Sequence, residues 1–245
     1  MLRGYRIAAS PERGAGGSMP EITLADLVRN GTMSPAIAAT LVTAASERRS
    51  LITIAIPRLA GKTTTMMATL AYAPAGTALH ELSEDHGPSL GIPERGDGGY
   101  LIMSEIAQTP FPHYLWGDPV RRVFGALERG FSLATALHAP GAREAFEIIC
   151  RENAVPDAHA ARLDLAVYIR TLGDDWRNPT GRRVTTVHEV NGVRDGKPAL
   201  RLLHRWVELG GRFEDVEPPL RIGAGTAELA SRRTEFERVA AERRS

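Results

Sequence analysis

A lysine followed by threonines comes directly after a short apolar segment in the first third of the chain. The segment reads LITIAI and continues as PRLAGKTTT. In the phosphate-binding pattern G-x-x-x-x-G-K-[ST], backbone amides surround the phosphates, the lysine contacts their oxygens, and the hydroxyl binds Mg²⁺. The sequence therefore predicts a site for ATP and Mg²⁺, with Thr63 as a metal ligand. The predicted nucleotide-binding residues are Pro57, Gly61, Lys62, Thr63 and Thr64.

The first half of this loop departs from the pattern. Ile56 stands where the first glycine belongs, and Leu59 occupies a place that usually carries a small residue. A β-branched side chain resists positive φ, and bulk in the loop hinders the close approach of phosphates. A Gly-Lys-Thr triplet also begins ordinary helices, so an ordinary helix start is the alternative.

Four further polar residues follow apolar segments and could act on a bound phosphate. Glu84 and Asp85 come after a predicted strand, where carboxylates can activate water or hold the water shell of a metal ion. Glu105 ends the strand YLIMSE and His138 ends FSLATALH. We expect Glu84, Glu105 and His138 to be catalytic and Asp85 to bind the metal ion. The alternatives are an exposed acidic loop pair and a structural histidine.

Strands and helices alternate around these residues, which predicts an α/β fold of three layers with a mostly parallel central sheet. Three later segments, joined in part by the turn-rich NGVRDGKP, predict a C-terminal antiparallel hairpin. The predicted strands are 51–56, 77–82, 100–106, 131–137, 165–171, 183–190 and 200–208. The predicted helices are 23–28, 35–48, 62–72, 118–129, 141–153 and 226–244.

The chain divides into four predicted parts. Residues 1–22 form a flexible tail without the apolar core of a signal peptide, and residues 23–50 form a helical lead-in. Residues 51–222 form the phosphate-loop domain. Residues 223–245 form a charged helix, whose few apolar side chains favour a solvated tail. The insert at residues 107–119 is either a partner-binding loop or a packed surface loop.

Composition narrows the classes of function. The single cysteine, Cys150, cannot form an internal disulfide, which fits a reducing compartment such as the cytoplasm. A net charge of +1 with mixed signs provides no footprint for nucleic acid. No apolar run approaches the roughly 20 residues needed to span a bilayer, so we expect a membrane link only through partners.

The order of these motifs resembles the type II/type IV secretion ATPase family, and in particular its Tad/Flp pilus-assembly branch. The resemblance covers residues 23–208: GKTTT, LHELSEDHGPS, GDGGYLIMSEIA and FSLATALHAPGAREAFEIICRENAVP match the phosphate loop, Asp box, Walker B strand and His box. It implies a RecA-like P-loop NTPase that binds ATP and Mg²⁺. It also implies a hexamer that works with proteins of a membrane apparatus.

The chain also departs from the family outside the loop. Ser104 replaces the usual glycine before the Walker B glutamate, and Ala107 stands where the family tends to place an arginine. The segment that supplies arginines to the neighbouring subunit is shortened to Arg95. Two functions therefore stay open: an ATP-hydrolysing subunit of a pilus or secretion apparatus, and a pseudo-ATPase that acts as a structural or regulatory binding subunit.

Overall fold

The computed structural model describes residues 22–57, 59–96, 98–175, 177–223 and 227–241. The α-helices in this part of the chain are α1 (Leu24–Arg29), α2 (Pro35–Ser46), α3 (Lys62–Leu70), α4 (Asp118–Ala126), α5 (Ala142–Glu147), α6 (Asp157–Ala160) and α7 (Ala227–Ala241). The strands are β1 (Leu51–Ala55), β2 (Leu79–Glu81), β3 (Tyr100–Ile106), β4 (Tyr114–Leu115), β5 (Ser132–Leu137), β6 (Leu165–Leu172), β7 (Gly181–Arg194), β8 (Lys197–Val207) and β9 (Arg212–Asp215).

The described strands form one mixed sheet in the order β2-β3-β5-β1-β6-β7-β8-β9, with β4 paired to β3. All pairings from β2 to β6 are parallel, and those from β6 to β9 are antiparallel. The protein is therefore a mixed α/β structure with a mostly parallel central sheet and an antiparallel hairpin region. Because parallel strands share a direction, the carboxyl ends of β1, β3 and β5 meet at one edge.

The central strand β1 explains why the sheet needs helices on both faces. Leu51 and Ala55 pack in one apolar core with α1, α2, α3 and α7, whereas Ile52 and Ile54 pack in a second core with α4 and α5. All five residues of β1 are buried. The continuous apolar run is thus that of a strand covered on both faces.

The helical lead-in begins with two caps that the sequence predicts. The Thr23 hydroxyl accepts a hydrogen bond from the Asp26 amide, and the Asp26 carboxylate accepts one from the Thr23 amide. Ser34 accepts from the Ile37 amide, and Pro35 occupies the first turn of α2. These contacts satisfy amides that a helix start otherwise leaves unpaired.

The charged C-terminal helix is not the solvated tail that its composition suggests. Helix α7 packs against α1 and α2. Its Phe236 and Val239 side chains are buried, and the Phe236 ring lies 6.4 Å from that of Tyr72. The prediction of a solvated tail was wrong, because the narrow apolar stripe of α7 packs against α2, whose side chains are nearly all apolar.

Other differences from the sequence-based assignment are small. Strands β4 and β9 were not predicted, and neither was α6. The insert at residues 107–119 contributes β4, in which Leu115 is fully buried. The predicted N-terminal tail lies outside the described residues except for residue 22, as do both ends of the predicted helix at 226–244.

Two buried carboxylates join the C-terminal segment to the edge of the sheet where β1 begins. Glu189 accepts hydrogen bonds from the amides of three consecutive residues, which are Leu220, Arg221 and Ile222. Asp164 accepts from the Ser50 amide and from the Arg221 guanidinium. Burial raises the pKa of Asp164 above its usual value, against the lowering effect of these donors.

Candidate functional site

In the loop between β1 and α3, the residues with a left-handed backbone conformation do not include the one at the position of the pattern's first glycine. Leu59 has φ 64° and Gly61, the residue that caps α3, has φ 91°. Ile56 is not among the residues with positive φ. The Leu59 side chain is 62% exposed, so its bulk does not fill the core. The substitution at Ile56 is therefore accommodated, and the backbone strain falls on Leu59.

Three residues predicted to act on phosphate converge at the carboxyl edge of the sheet. Lys62 starts α3, Glu105 lies near the end of β3, and His138 follows β5. The Lys62 Nζ atom lies 3.0 Å from His138 Nε2 and 3.6 Å from Glu105 Oε1. The Nε2 atom of His138 lies 3.0 Å from the same carboxylate oxygen. Lys62 and Glu105 are buried.

An irregularity in β3 accompanies the position of Glu105. The register between β3 and β5 shifts between Met103 and Ile106, the stretch that contains Ser104 and Glu105. Shifts of this kind re-aim side chains and are common beside active sites. Among the described residues, buried Oε1 of Glu105 has no hydrogen bond of normal geometry, although Lys62 and His138 lie beside it. It is therefore a carboxylate oxygen whose acceptor capacity is incompletely used.

Both ring nitrogens of His138 lie close to polar groups of the site. Its Nδ1 atom lies 3.0 Å from the carbonyl oxygen of Ala55 and 3.2 Å from the Nζ atom of Lys62, so whether Nδ1 donates or accepts depends on the tautomer of the ring. The Nε2 atom lies 3.0 Å from Lys62 Nζ and 3.0 Å from Glu105 Oε1. Imidazole is the side chain that most often transfers protons in catalysis, and this position places it beside both charged groups.

A cavity of about 750 Å³ opens over the start of α3. Its volume lies in the range of small-molecule sites, roughly 300–1,000 Å³. Lys62, Glu105 and His138 line it together with Gly61, Thr63 and Thr64. The predicted binding residues of the loop, except Pro57, and two of the three predicted catalytic residues therefore share one concave surface.

Other walls of the cavity come from parts of the chain that the motif does not include. Helix α1 and its C-cap contribute Leu27 and Asn30, and Thr180 and Gly181 come from the point where β7 begins. Arg182 completes this wall. Its Nε atom donates a hydrogen bond of 3.0 Å to the carbonyl oxygen of Leu59. Nothing in the local sequence around Arg182 indicated this role, because the contact depends on the strand order.

The structure does not bring the acidic pair into this group. Glu84 and Asp85 have exposed side chains in a short 3-10 segment after β2. Strands β3 and β5 separate β2 from β1. Neither residue lines the cavity, nor do Pro57 and Arg95, and Arg95 is exposed. The roles that the sequence assigns to these four residues stay predictions.

The described residues contain neither a cluster of metal-binding side chains nor a membrane-spanning helix. Across residues 22–241, with the gaps given above, no group of three or more His, Cys, Asp or Glu side chains is arranged to hold a metal ion. In the same part of the chain, no helix combines the length and apolar character that crossing a bilayer requires.

A comparison with solved structures gives a partial match for this chain. The structure is similar to that of the VirB11 ATPase from the Brucella suis type IV secretion system, which was crystallised in complex with sulphate. The TM-score is 0.42 at 18% sequence identity, and the match covers 61% of this chain. It spans half of the length of the VirB11 chain, at 50%. No protein-family model matches the sequence, and no curated protein matches it.

Proposed function

We propose that this protein is a RecA-like P-loop NTPase that binds ATP with Mg²⁺ in the cavity over α3 and hydrolyses it. The observation that carries the proposal is the convergence of Lys62, Glu105 and His138 within 3.6 Å of one another on the wall of that cavity. A buried lysine at a helix start is suited to phosphate oxygens.

The residues of the loop have distinct parts in binding. The first residues of α3 line the cavity, and the unpaired amides and the positive end of the dipole at a helix start favour a polyanion. Lys62 supplies a positive charge to the terminal phosphates. Thr63 is exposed on the cavity wall, so its hydroxyl is free of core packing and fits a Mg²⁺ ligand. When bound, Mg²⁺ would neutralise charge on the phosphates.

Glu105 and His138 provide the acid and base groups. Glu105 is a buried carboxylate with unused acceptor capacity, so it can orient a water molecule and accept its proton. The Nε2 atom of His138 lies 3.0 Å from Oε1 of the same carboxylate. Because Lys62 contacts both residues, movement of Lys62 towards phosphate would change the environment of the carboxylate and of the imidazole together.

The wider role follows the order of sequence motifs. We propose that the protein serves a pilus-assembly or secretion apparatus from the cytoplasm, in contact with membrane proteins, and that it forms a homo-oligomer, with a hexamer as the family precedent. Arg95 is the candidate donor to a neighbouring site. Its substitution, Arg95→Ala, should then lower the ATPase rate without changing ATP affinity. An unchanged rate in a protein that stays monomeric with ATP contradicts the ring arrangement.

A pseudo-ATPase is the second candidate, because Leu59 adopts a left-handed conformation within the loop and its side chain lines the cavity. A bulky residue there can close the loop against phosphate. The protein would then be a structural or regulatory subunit that keeps the fold without turnover.

Titration calorimetry with ATP and Mg²⁺ tests the proposal. The wild-type protein should bind, and Lys62→Ala should weaken binding about tenfold to a hundredfold, since hydrogen bonds to charged groups contribute roughly 1.5–3 kcal/mol. Lys197→Ala is the matched control, because Lys197 is the other lysine of the chain and is exposed on β8. ATP should also raise the melting temperature of the wild type. No binding at millimolar ATP contradicts the proposal.

A further inference from the structure

Arg182 stands on the opposite side of the phosphate loop from the acid and base residues. Glu105 lies in β3 and His138 comes directly after β5, and both strands are on one side of β1 in the sheet. Arg182 lies at the start of β7, on the other side of β1 and beyond β6. The α3 helix starts between them. The cavity thus has one wall with proton-transfer groups and a second wall with a guanidinium.

The position of Arg182 is fixed by the loop itself. Its Nε atom donates to the Leu59 carbonyl oxygen, and its side chain lies so close to Gly61 that a Cβ atom there would come within 3.3 Å of Arg182 Cδ. Gly61 has φ 91°, so glycine satisfies both the backbone conformation and the close approach of the arginine. Arg182 is therefore part of the phosphate loop in space, although 120 residues separate it from Lys62 in sequence.

Within the described part of the chain, no neighbouring acid neutralises the charge of Arg182. Among the described residues, no carboxylate lies within salt-bridge distance of its guanidinium, whereas Arg170 pairs with Glu208 and Arg205 pairs with Glu214. Lys62, by contrast, already contacts Glu105. On the wall away from Glu105, the cavity therefore has an arginine that no acid of the described residues pairs with.

Resting on the function proposed above, we propose that Arg182 binds the inner phosphates of the nucleotide, those retained in ADP. The terminal phosphate must lie towards Glu105 and His138 for hydrolysis, so the phosphates nearer the sugar extend towards Arg182. An arginine offers several donors in a planar fork that matches phosphate oxygens. The wall beyond it, with Leu27 and Asn30, is left for the sugar and base.

This assignment predicts a specific kinetic pattern. A contact to phosphates that remain in ADP is made both before and after the terminal phosphate is cleaved, so we expect it to contribute mainly to KM and to change kcat much less. Arg182→Ala should raise the Kd of ATP and of ADP by the same factor, about tenfold or more for the loss of a charge-assisted hydrogen bond. Inorganic pyrophosphate should lose affinity as well, and kcat should stay within about twofold.

Arg182→Lys and Arg170→Ala make the test specific. The lysine variant keeps the charge without the fork and should recover part of the lost affinity. Arg170 belongs to the neighbouring strand β6 and faces Glu208, so its removal should leave nucleotide affinity unchanged. A melting temperature recorded for each variant separates loss of folding from loss of binding; if Arg182→Ala does not fold, the comparison is made with Arg182→Lys.

The outcomes separate this inference from the proposed function. If the wild type binds neither ATP nor ADP, the proposed function fails and the role of Arg182 fails with it. If the wild type binds both and Arg182→Ala retains their affinities, only the role of Arg182 is overturned. A fall in kcat alone, or a loss confined to ATP, also overturns it, because each places the guanidinium at the terminal phosphate or at the catalytic groups.

Discussion

The Nζ atom of Lys62 lies 3.6 Å from Oε1 of Glu105. Lys62 comes after β1 and Glu105 lies in β3, and β5 lies between these two strands in the sheet. Both side chains are buried, at 8% and 9% exposure. A buried charge needs a partner, and in the absence of phosphate the opposite charges of these two side chains are partners of one another. A bound polyanion would compete with Glu105 for Lys62, which links nucleotide binding to the state of the carboxylate.

Glu105→Gln should separate binding from hydrolysis. The amide has nearly the same shape but cannot accept a proton from water, so the rate of phosphate release should fall at least about a hundredfold. ATP affinity should be retained or increased, because Lys62 loses a competing negative charge. Phosphate release and calorimetry measure the two effects.

Glu84→Gln is the control for this experiment. Glu84 is the other acid that the sequence predicts to be catalytic, but its side chain is exposed and does not line the cavity. We therefore expect Glu84→Gln to lower turnover less than Glu105→Gln does, and an unchanged turnover would contradict the catalytic role that the sequence assigns to Glu84. If Glu84→Gln abolishes turnover and Glu105→Gln does not, the assignment of the base to Glu105 is wrong.

Replacing the two large loop residues by glycine should have opposite effects on stability. Leu59 holds φ 64°, a conformation that costs a non-glycine residue roughly 1–2 kcal/mol. Glycine removes that cost but adds about 0.5–1 kcal/mol of chain entropy, so Leu59→Gly should gain up to about 1 kcal/mol. Ile56 is outside the positive-φ region, and Ile56→Gly should lose stability. Urea unfolding of both variants measures the difference. Equal effects, or a more stable Ile56→Gly, would remove the argument from strain.

Ile56 and Leu59 show how much of the loop could be predicted from the motif. The sequence identified both departures from the phosphate loop, but the expected conflict at Ile56 depended on the φ of a glycine that this chain does not require there. The apolar segments at 51–56 and 131–137 were predicted as strands, and both are buried strands of the sheet, β1 and β5, because a strand covered on both faces needs a continuous apolar run. Arg182 could not be found in this way, since its contact with Leu59 is set by the order of strands β1, β6 and β7.

Acid should weaken folding in part through His188 on β7. Burial lowers the pKa of His188 below its usual 6.5, with a smaller contribution from Arg143. Its buried Nδ1 atom has no hydrogen-bond partner among the described residues. A depressed folded-state pKa means that the unfolded chain takes up the proton first. Its stabilising contribution is therefore complete above pH 6.5 and is lost as the pH falls through the folded-state pKa.

His188→Leu should consequently flatten the pH dependence of stability. The free energy of unfolding, measured by urea denaturation at pH 7.5 and pH 5, should fall less in this variant than in the wild type. His86→Gln removes an exposed imidazole and serves as the control for loss of a histidine. A slope for His188→Leu equal to that of the wild type would contradict the assignment.

Phe236→Ala should destabilise the whole protein, because α7 belongs to the core formed with α1 and α2. The Phe236 side chain is 1% exposed and lies near the Tyr72 ring at the end of α3. Removing a buried phenylalanine costs roughly 3–5 kcal/mol in a core that cannot collapse around the cavity. Leu229→Ala, at a half-buried position of the same helix, should cost less. Both values follow from urea unfolding, with circular dichroism to confirm that the fold is kept. A loss below about 1 kcal/mol for Phe236→Ala would mean that the helix is detached in solution, as its composition had suggested.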